Sequence, residues 1–323
     1  MKTENVVPAT ENMLPELIPF LAAIQKEYSV ETACQFEKLF SDCSILILNG
    51  DKRYDQYSLL TSGGYPMELT LRSDTNDLYV TTEAGSSNDK IEQHLFWAQQ
   101  YSSSFSFVEH PLLEQFNKSN EQRYGCWLGI RFKGSKPSYK LYHEATEATA
   151  KAFLKELSML YGLDKLLPEL IPMMAGFIPG IKGIAEFYCR IPKSSLVVLH
   201  HFFSMAGVAS ELNMFLDYLG WLGGMSREEL FSRLRFGVSF QQIAGQLPGI
   251  SIFIHMSELC RNNLKARSRL LSFAKQLGYQ MPFYESVSAR LLIENPTFPV
   301  HGIISFKPMP KGKMIFSVGL RPW

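Results

Sequence analysis

The chain lacks a charge excess of either sign: 32 Lys and Arg stand against 31 Asp and Glu, a formal net charge of +1. No global field draws it to a polyanion such as nucleic acid, so any anionic ligand has to be held by local groups. Paired cysteine motifs are also missing. Cys34, Cys43, Cys126, Cys189 and Cys260 form no CxxC or CxxH spacing and are odd in number, which argues against a zinc site or a complete disulfide framework. A reducing cytoplasm is the expected location. No long clean apolar run is present either: Leu166 to Tyr188 is broken by Pro168, Glu169, Pro172, Pro179, Lys182 and Glu186, short of the roughly 20 apolar residues of a membrane span. The first residues carry Glu4, Glu11 and Glu16 where an export signal would be basic and then apolar.

What is there is a chain of 323 residues, 46% hydrophobic and 20% charged, a balance that supports a large core in one barrel or two average domains. Extended segments come in pairs, each closed by a short polar or glycine turn and followed by helical sequence. The pairs are Tyr65 to Arg72 with Leu78 to Ala84, Trp127 to Lys133 with Ser138 to Glu144, and Leu170 to Ile178 with Gly183 to Arg190. Phe236 to Gln242 with Ile250 to His255, and Gly302 to Lys307 with Met314 to Leu320, complete five. Helices are expected at Ile91 to Tyr101 after Ser86-x-x-Asp89, at Thr146 to Leu160, after the Ser226-x-x-Glu229 capping box, and at Glu258 to Leu277.

Hairpins separated by helices argue against a doubly wound parallel sheet. They predict an α+β fold: a ten-stranded antiparallel β-barrel ringed by helices, with a ligand lumen inside. The strands alternate accordingly. Ile250, Ile252 and Ile254 form one apolar face, whereas Glu68, Thr70 and Arg72 share a polar face, as do Lys140, Tyr142 and Glu144, and Glu186, Tyr188 and Arg190. Charged groups spaced two residues from aromatics suit a lumen that binds an anion beside an organic cation.

Gly64-Tyr65-Pro66-Met67-Glu68-Leu69-Thr70 resembles the G-x-P-x-E-x-S segment of the indole prenyltransferases of the dimethylallyltryptophan synthase family, and Lys140-Leu141-Tyr142 resembles their K-x-Y strand. The length is closer to compact bacterial barrels, including the prenyltransferases of hapalindole and ambiguine alkaloid assembly. The hairpin-and-helix order resembles the αββα barrel of that family, and the resemblance implies one prenyltransferase barrel domain over 1–323, soluble, that takes dimethylallyl or geranyl diphosphate and an indole-containing acceptor. It implies that Glu68 is catalytic, accepting a hydrogen bond from the indole N–H as positive charge develops on the ring. Lys140, with Arg72, would bind the diphosphate, and Tyr142 and Tyr188 would screen the allylic cation. Tyr79, Glu186 and Phe253 would contact substrate.

The chain departs from the family pattern at several of these positions. Tyr79 stands where the family has an arginine, R-x-K-x-Y reads Ile184-Ala185-Glu186-Phe187-Tyr188, the fourth pair has Ser251-Ile252-Phe253, and Gly319 stands near the place of a shielding tyrosine. Missing cationic ligands have candidate substitutes in Arg72, Arg131, Arg190, Arg235 and Arg321, or in a magnesium ion bridging the diphosphate to Glu186; no cofactor is otherwise implied. Ordinary roles compete with these assignments: Glu68 paired with Arg72, Lys140 solvated, and Ser73 to Asp77 a solvated turn. His200-His201 is not expected to chelate, and Trp97, Trp221 and the helical methionines read as core. Trp127 and Trp323 border barrel strands. A non-catalytic barrel that holds a hydrophobic alkaloid or isoprenoid, and a hydrolase of allylic diphosphates, are the alternative functions.

Overall fold

The computed structural model describes residues 17–43, 67–75, 77–83, 91–101, 114, 126–133, 136–162, 170–178, 185–192, 195–241, 249–294 and 296–323. Its strands are β1 (Met67–Arg72), β2 (Leu78–Glu83), β3 (Cys126–Lys133), β4 (Lys136–Glu144), β5 (Ile171–Phe177), β6 (Ala185–Arg190), β7 (Gly237–Gln241), β8 (Gly249–His255), β9 (His301–Met309) and β10 (Lys313–Leu320). Each pairs antiparallel with its neighbours in sequence. The pairing of β1 with β10, from Leu69 against Leu320 to Arg72 against Ser317, closes the barrel and leaves no edge among the described strands. The five expected hairpins are all present, with strand ends shifted by a residue or two; Gly64 to Pro66, Ala84 to Asp89, Pro179 to Ile184 and Gln242 to Pro248 lie outside the described residues.

Strand alternation sorts the side chains. Outward positions such as Leu69, Leu128, Leu141, Phe187, Phe240, Ile252, Phe306 and Phe316 are fully buried, because helices cover the barrel. Aromatic contacts seal each layer: Phe153 meets Phe187 at 5.0 Å between ring centroids, Phe202 meets Phe240 at 5.4 Å, and Phe273 meets Phe316 at 5.0 Å. Such burial stabilises by about 1.5–3 kcal/mol per large apolar side chain. The core is therefore the shell between barrel and helices. The polar and aromatic inward positions are left to line the lumen.

Helix Glu147–Tyr161 starts where Thr146 and Thr149 exchange capping hydrogen bonds and ends at Gly162 in the left-handed region, φ 65°. Ser226 and Glu229 form the expected box for Arg227–Arg233. One expected helix is wrong as drawn: Glu258 to Leu277 is two helices, Met256–Leu259 and Asn263–Gln276, because Cys260 is extended and the Asn262 side chain caps the second by accepting from the Lys265 N–H. Trp221 is not core either. It is 44% exposed, with one face tilted against Phe273 at 6.0 Å, and Met159 is likewise exposed. Trp97 packs against the core, and Trp323 is buried edge-on against Phe20 at 5.4 Å, on the outer shell. His200 and His201 are both exposed.

Candidate active site in the barrel lumen

Glu68 points into the lumen from β1. A β-bulge opposite sets its surroundings: between Val318 against Ile304 and Leu320 against His301, Gly302 and Ile303 of β9 face only Gly319 of β10. The Glu68 carboxyl packs against the α-carbons of Gly302 and Gly319, where a Cβ on either glycine would overlap it. Burial pushes its pKa up to about 7, and the nearby backbone N–H of Ile303 acts in the opposite sense. The expected alternative, a pair with Arg72, does not form. Arg72 instead clamps Asp74, Nε to Oδ1 at 2.9 Å and Nη2 to Oδ2 at 2.7 Å.

Lys140 of β4 forms an ion pair with Glu186 of β6, at side-chain exposures of only 19% and 16%. It is not a solvated lysine. Its ammonium lies 5.0 Å from the Tyr142 ring centroid and 5.6 Å from that of Tyr188, and 3.4 Å from the Tyr188 hydroxyl. Burial pushes Lys140 down to about 7, while the Glu186 carboxylate favours the charged form. The Tyr142 and Tyr188 rings meet edge-on at 5.8 Å. Burial raises both hydroxyls, Tyr142 to about 12. Phe253 continues this wall at 6.2 Å from Tyr188, lying on the bare α-carbon of Gly237. Gly129 and Gly176 do the same for Tyr142: a Cβ there would come within 2.7 Å and 3.2 Å of its ring. Glu68, Tyr142 and Phe253 thus each lie on a glycine, a signal present in the sequence as Gly at inward strand positions.

Tyr79 of β2 sits between two guanidinium groups, the Arg72 carbon 5.6 Å and the Arg131 carbon 5.3 Å from its ring centroid. Arg131 pairs with Asp77, its Nε 2.8 Å from Oδ2. The Ser73 to Asp77 turn is thus not simply solvated. Its aspartates hold lumen arginines, and the buried Ser73 hydroxyl accepts from the Phe316 N–H at 3.0 Å. Of the other substitute cations, Arg190 is exposed, Arg235 pairs with Glu258, and Arg321 is buried against the Phe298 ring at 4.2 Å. Lys307, which sequence reasoning missed, joins Arg72 at the hairpin end of the lumen, where burial and the nearby Arg72 charge lower its pKa. Among the described residues no group of three or more His, Cys, Asp or Glu could hold a metal ion, and Glu186 is already committed to Lys140. The donor set does not fit a resident magnesium ion. Among the described residues no helix is long and apolar enough to cross a membrane.

A closed ten-stranded antiparallel barrel inside a helical ring, with ionisable and aromatic residues in its lumen, is the architecture of the αββα, or ABBA, prenyltransferases, and the chain has that fold. Among solved structures it is similar to 5-dimethylallyl tryptophan synthase from Streptomyces coelicolor in complex with DMASPP and Trp, with a TM-score of 0.72, 14% identity, and coverage of 94% of this chain and 93% of that one. It is similar also to 6-dimethylallyltryptophan synthase from Micromonospora olivasterospora in complex with DMASPP and Trp (TM-score 0.74, 13% identity, 94% and 96% covered). AnaPT from Neosartorya fischeri matches at a TM-score of 0.63, 14% identity, 94% and 91% covered. No protein-family profile matches the sequence, and no curated protein matches it.

Proposed function

We propose that the chain is a cytoplasmic aromatic prenyltransferase that moves a dimethylallyl or geranyl group from its diphosphate to an indole alkaloid or indole precursor. The observation that carries this is one lumen holding a buried carboxyl, Glu68, and a buried ammonium, Lys140, under the ring faces of Tyr142 and Tyr188. The fold likeness to proteins solved with DMASPP and Trp supports it. The allylic C–O bond breaks and its electron pair leaves on the diphosphate, whose charge Lys140 and Arg72 stabilise. Tyr142 and Tyr188 face the allylic cation and keep water from it, since water would quench it to an alcohol. The indole π electrons then form the new C–C bond, and Glu68 accepts the indole N–H hydrogen bond as the ring becomes positive. The ring proton then passes to the departed diphosphate, which restores aromaticity. Tyr79, Glu186 and Phe253 bound the space in which the two substrates meet.

A non-catalytic barrel that binds a hydrophobic alkaloid or isoprenoid is the second reading, favoured by the ion pair in which Lys140 and Glu186 already satisfy each other. Incubation of the purified protein with indole acceptors and dimethylallyl or geranyl diphosphate, with and without magnesium, separates the two. A product heavier by one prenyl unit supports transfer. Tight ligand binding with no product from any acceptor supports the binding barrel, and free prenol without an aromatic product supports a hydrolase.

A further inference from the structure

The β9 bulge that places Gly302 against the Glu68 carboxyl is a departure from regular pairing, and its consequence can be counted along the ladder. Ile304 stands against Val318. Continued regularly from there, the ladder would set Ile303 alone opposite Gly319 and Gly302 opposite Leu320, on the outer face. A branched side chain would then stand where the carboxyl now meets a bare α-carbon. The bulge instead brings His301 opposite Leu320, on the face that the helices cover. In the regular register His301 would turn toward the lumen.

Outside the wall, His301 is 4% exposed and meets Tyr284 of helix Pro282–Ser288, itself 1% exposed. The Tyr284 hydroxyl and His301 Nε2 share a hydrogen bond of 3.0 Å. Among the described residues the other ring nitrogen, Nδ1, is buried without a hydrogen-bond partner, so the Tyr284 bond is the polar tether of the imidazole. Burial lowers His301 to about 4, which keeps the ring neutral around pH 7. The helix is pinned in turn. Ser288 Oγ accepts from Arg267 Nε at 3.1 Å and donates to the Tyr284 carbonyl at 2.5 Å, while Phe283 meets Tyr28 edge-on at 5.3 Å. Asn263 holds the chain that enters β9: its Nδ2 donates to the carbonyls of Pro296 and Phe298 at 3.0 and 2.9 Å, and its Oδ1 accepts from the Val300 N–H at 3.1 Å. Those bonds end one residue before His301, so the Tyr284 contact is the one that distinguishes the bulged register from the regular one.

We infer that His301 and Tyr284 are positioning residues for Glu68: their hydrogen bond, made outside the barrel wall, selects the bulged register that keeps Gly302 against the carboxyl inside it. This rests on the function proposed above, in which Glu68 is the catalytic group. The two residues act through the backbone of β9. Losing the bond leaves a buried imidazole nitrogen without its partner and removes the preference for the bulge. The carboxyl then loses one of its two glycine seats.

The test compares Tyr284→Phe, which deletes one oxygen, with His301→Leu and His301→Gln, each in the full chain with Glu68 and with Glu68→Gln. With Glu68 present, Tyr284→Phe and His301→Leu are each expected to lower kcat about tenfold and to change dimethylallyl diphosphate affinity less than about threefold. His301→Gln, whose amide can replace Nε2, should recover most of the turnover. In the Glu68→Gln background Tyr284→Phe should cost nothing further. A second measurement needs no substrate: denaturant midpoints at about pH 4.5 and about pH 8. The fall in midpoint that the buried carboxyl causes as pH rises should shrink in Tyr284→Phe, because a carboxyl off its seat is less buried, and the difference should vanish with Glu68→Gln. An unchanged kcat, the same loss in the Glu68→Gln background, or an equal drop in midpoint at both pH values overturns the inference. If His301→Leu unfolds, Tyr284→Phe decides alone. Wild-type protein that prenylates no acceptor overturns the proposed function, and the midpoints at the two pH values then decide the positioning role by themselves.

Discussion

The carboxyl of Glu68 lies against the α-carbon of Gly319, on the strand that closes the barrel, in space that a single methyl group would fill. That contact ties the candidate catalytic group to barrel closure. Gly319→Ala is expected to displace the carboxyl and lower turnover with an indole acceptor about tenfold or more, since misplacement on the ångström scale costs that much. In a Glu68→Ala background the same glycine change should cost little further. A double-mutant cycle on turnover and melting temperature checks this coupling.

Glu68→Gln keeps the shape and removes the charge. Turnover should fall about 100-fold or more, as for loss of a positioned acid–base group, with donor affinity unchanged. Single-turnover kinetics alongside donor titration decides it: small and equal effects on both would remove Glu68 from the chemistry.

The same carboxyl sets two pH dependences of known sign. In the proposed reaction its ionised form is the one that would accept the indole N–H, so kcat/KM should drop on the acid side of about pH 7, the value to which burial raises it. The Gln variant should lack that limb. For stability the sign is reversed. The unfolded carboxyl releases its proton near 4.5 and the folded one near 7, so folding stability declines as pH rises through that window and levels off above it. Denaturant midpoints should show Glu68→Gln gaining on the wild type between pH 4.5 and pH 8.

Glu186 competes with any anionic ligand for Lys140. Glu186→Gln is expected to tighten pyrophosphate binding several-fold, because no carboxylate then has to be displaced. Lys140→Gln leaves a largely buried carboxylate unpaired and should destabilise the fold by about 1–3 kcal/mol. Pyrophosphate titration and chemical denaturation of the two variants test this asymmetry.

Phe306 faces outward from β9 and meets Phe215 at 5.7 Å and Phe273 at 6.1 Å. Phe306→Ala should cost about 3–5 kcal/mol in denaturant unfolding, through lost burial and the cavity left between barrel and helices. Tyr188→Ala, on the lumen side, should cost less stability and raise the share of free prenol among products, since it opens the cation's enclosure to water. Product ratios by mass spectrometry read this directly.

Much of the architecture was legible along the chain because it depends on local pattern. The alternation in Ile250 to Ile254, and the turn residues between paired extended segments, specify hairpins, and five hairpins with intervening helices close most simply as one barrel. The inward placement of Glu68, Lys140, Tyr142 and Tyr188 follows from the same two-residue period. The two-helix break at Cys260 does not show in the apolar period, and its one local sign is Asn262, the residue that caps the second helix.

What only the tertiary structure decided is which inward groups meet. Sequence period places Arg72 beside Glu68 on one face of β1, yet the turn brings Asp74 to the arginine and the β9 bulge brings Ile303 and two glycines to the glutamate. Lys140 and Glu186 lie 46 residues apart and pair over Gly176 of the intervening strand β5. Arg131 and Lys307 join Arg72 only because β3 and β9 each lie two strands from β1 in the closed barrel. The chain's own pattern determines the side of the sheet each residue occupies, since alternation is a property of the backbone. Partners across a barrel depend on register, bulges and closure, which are set by packing between distant segments.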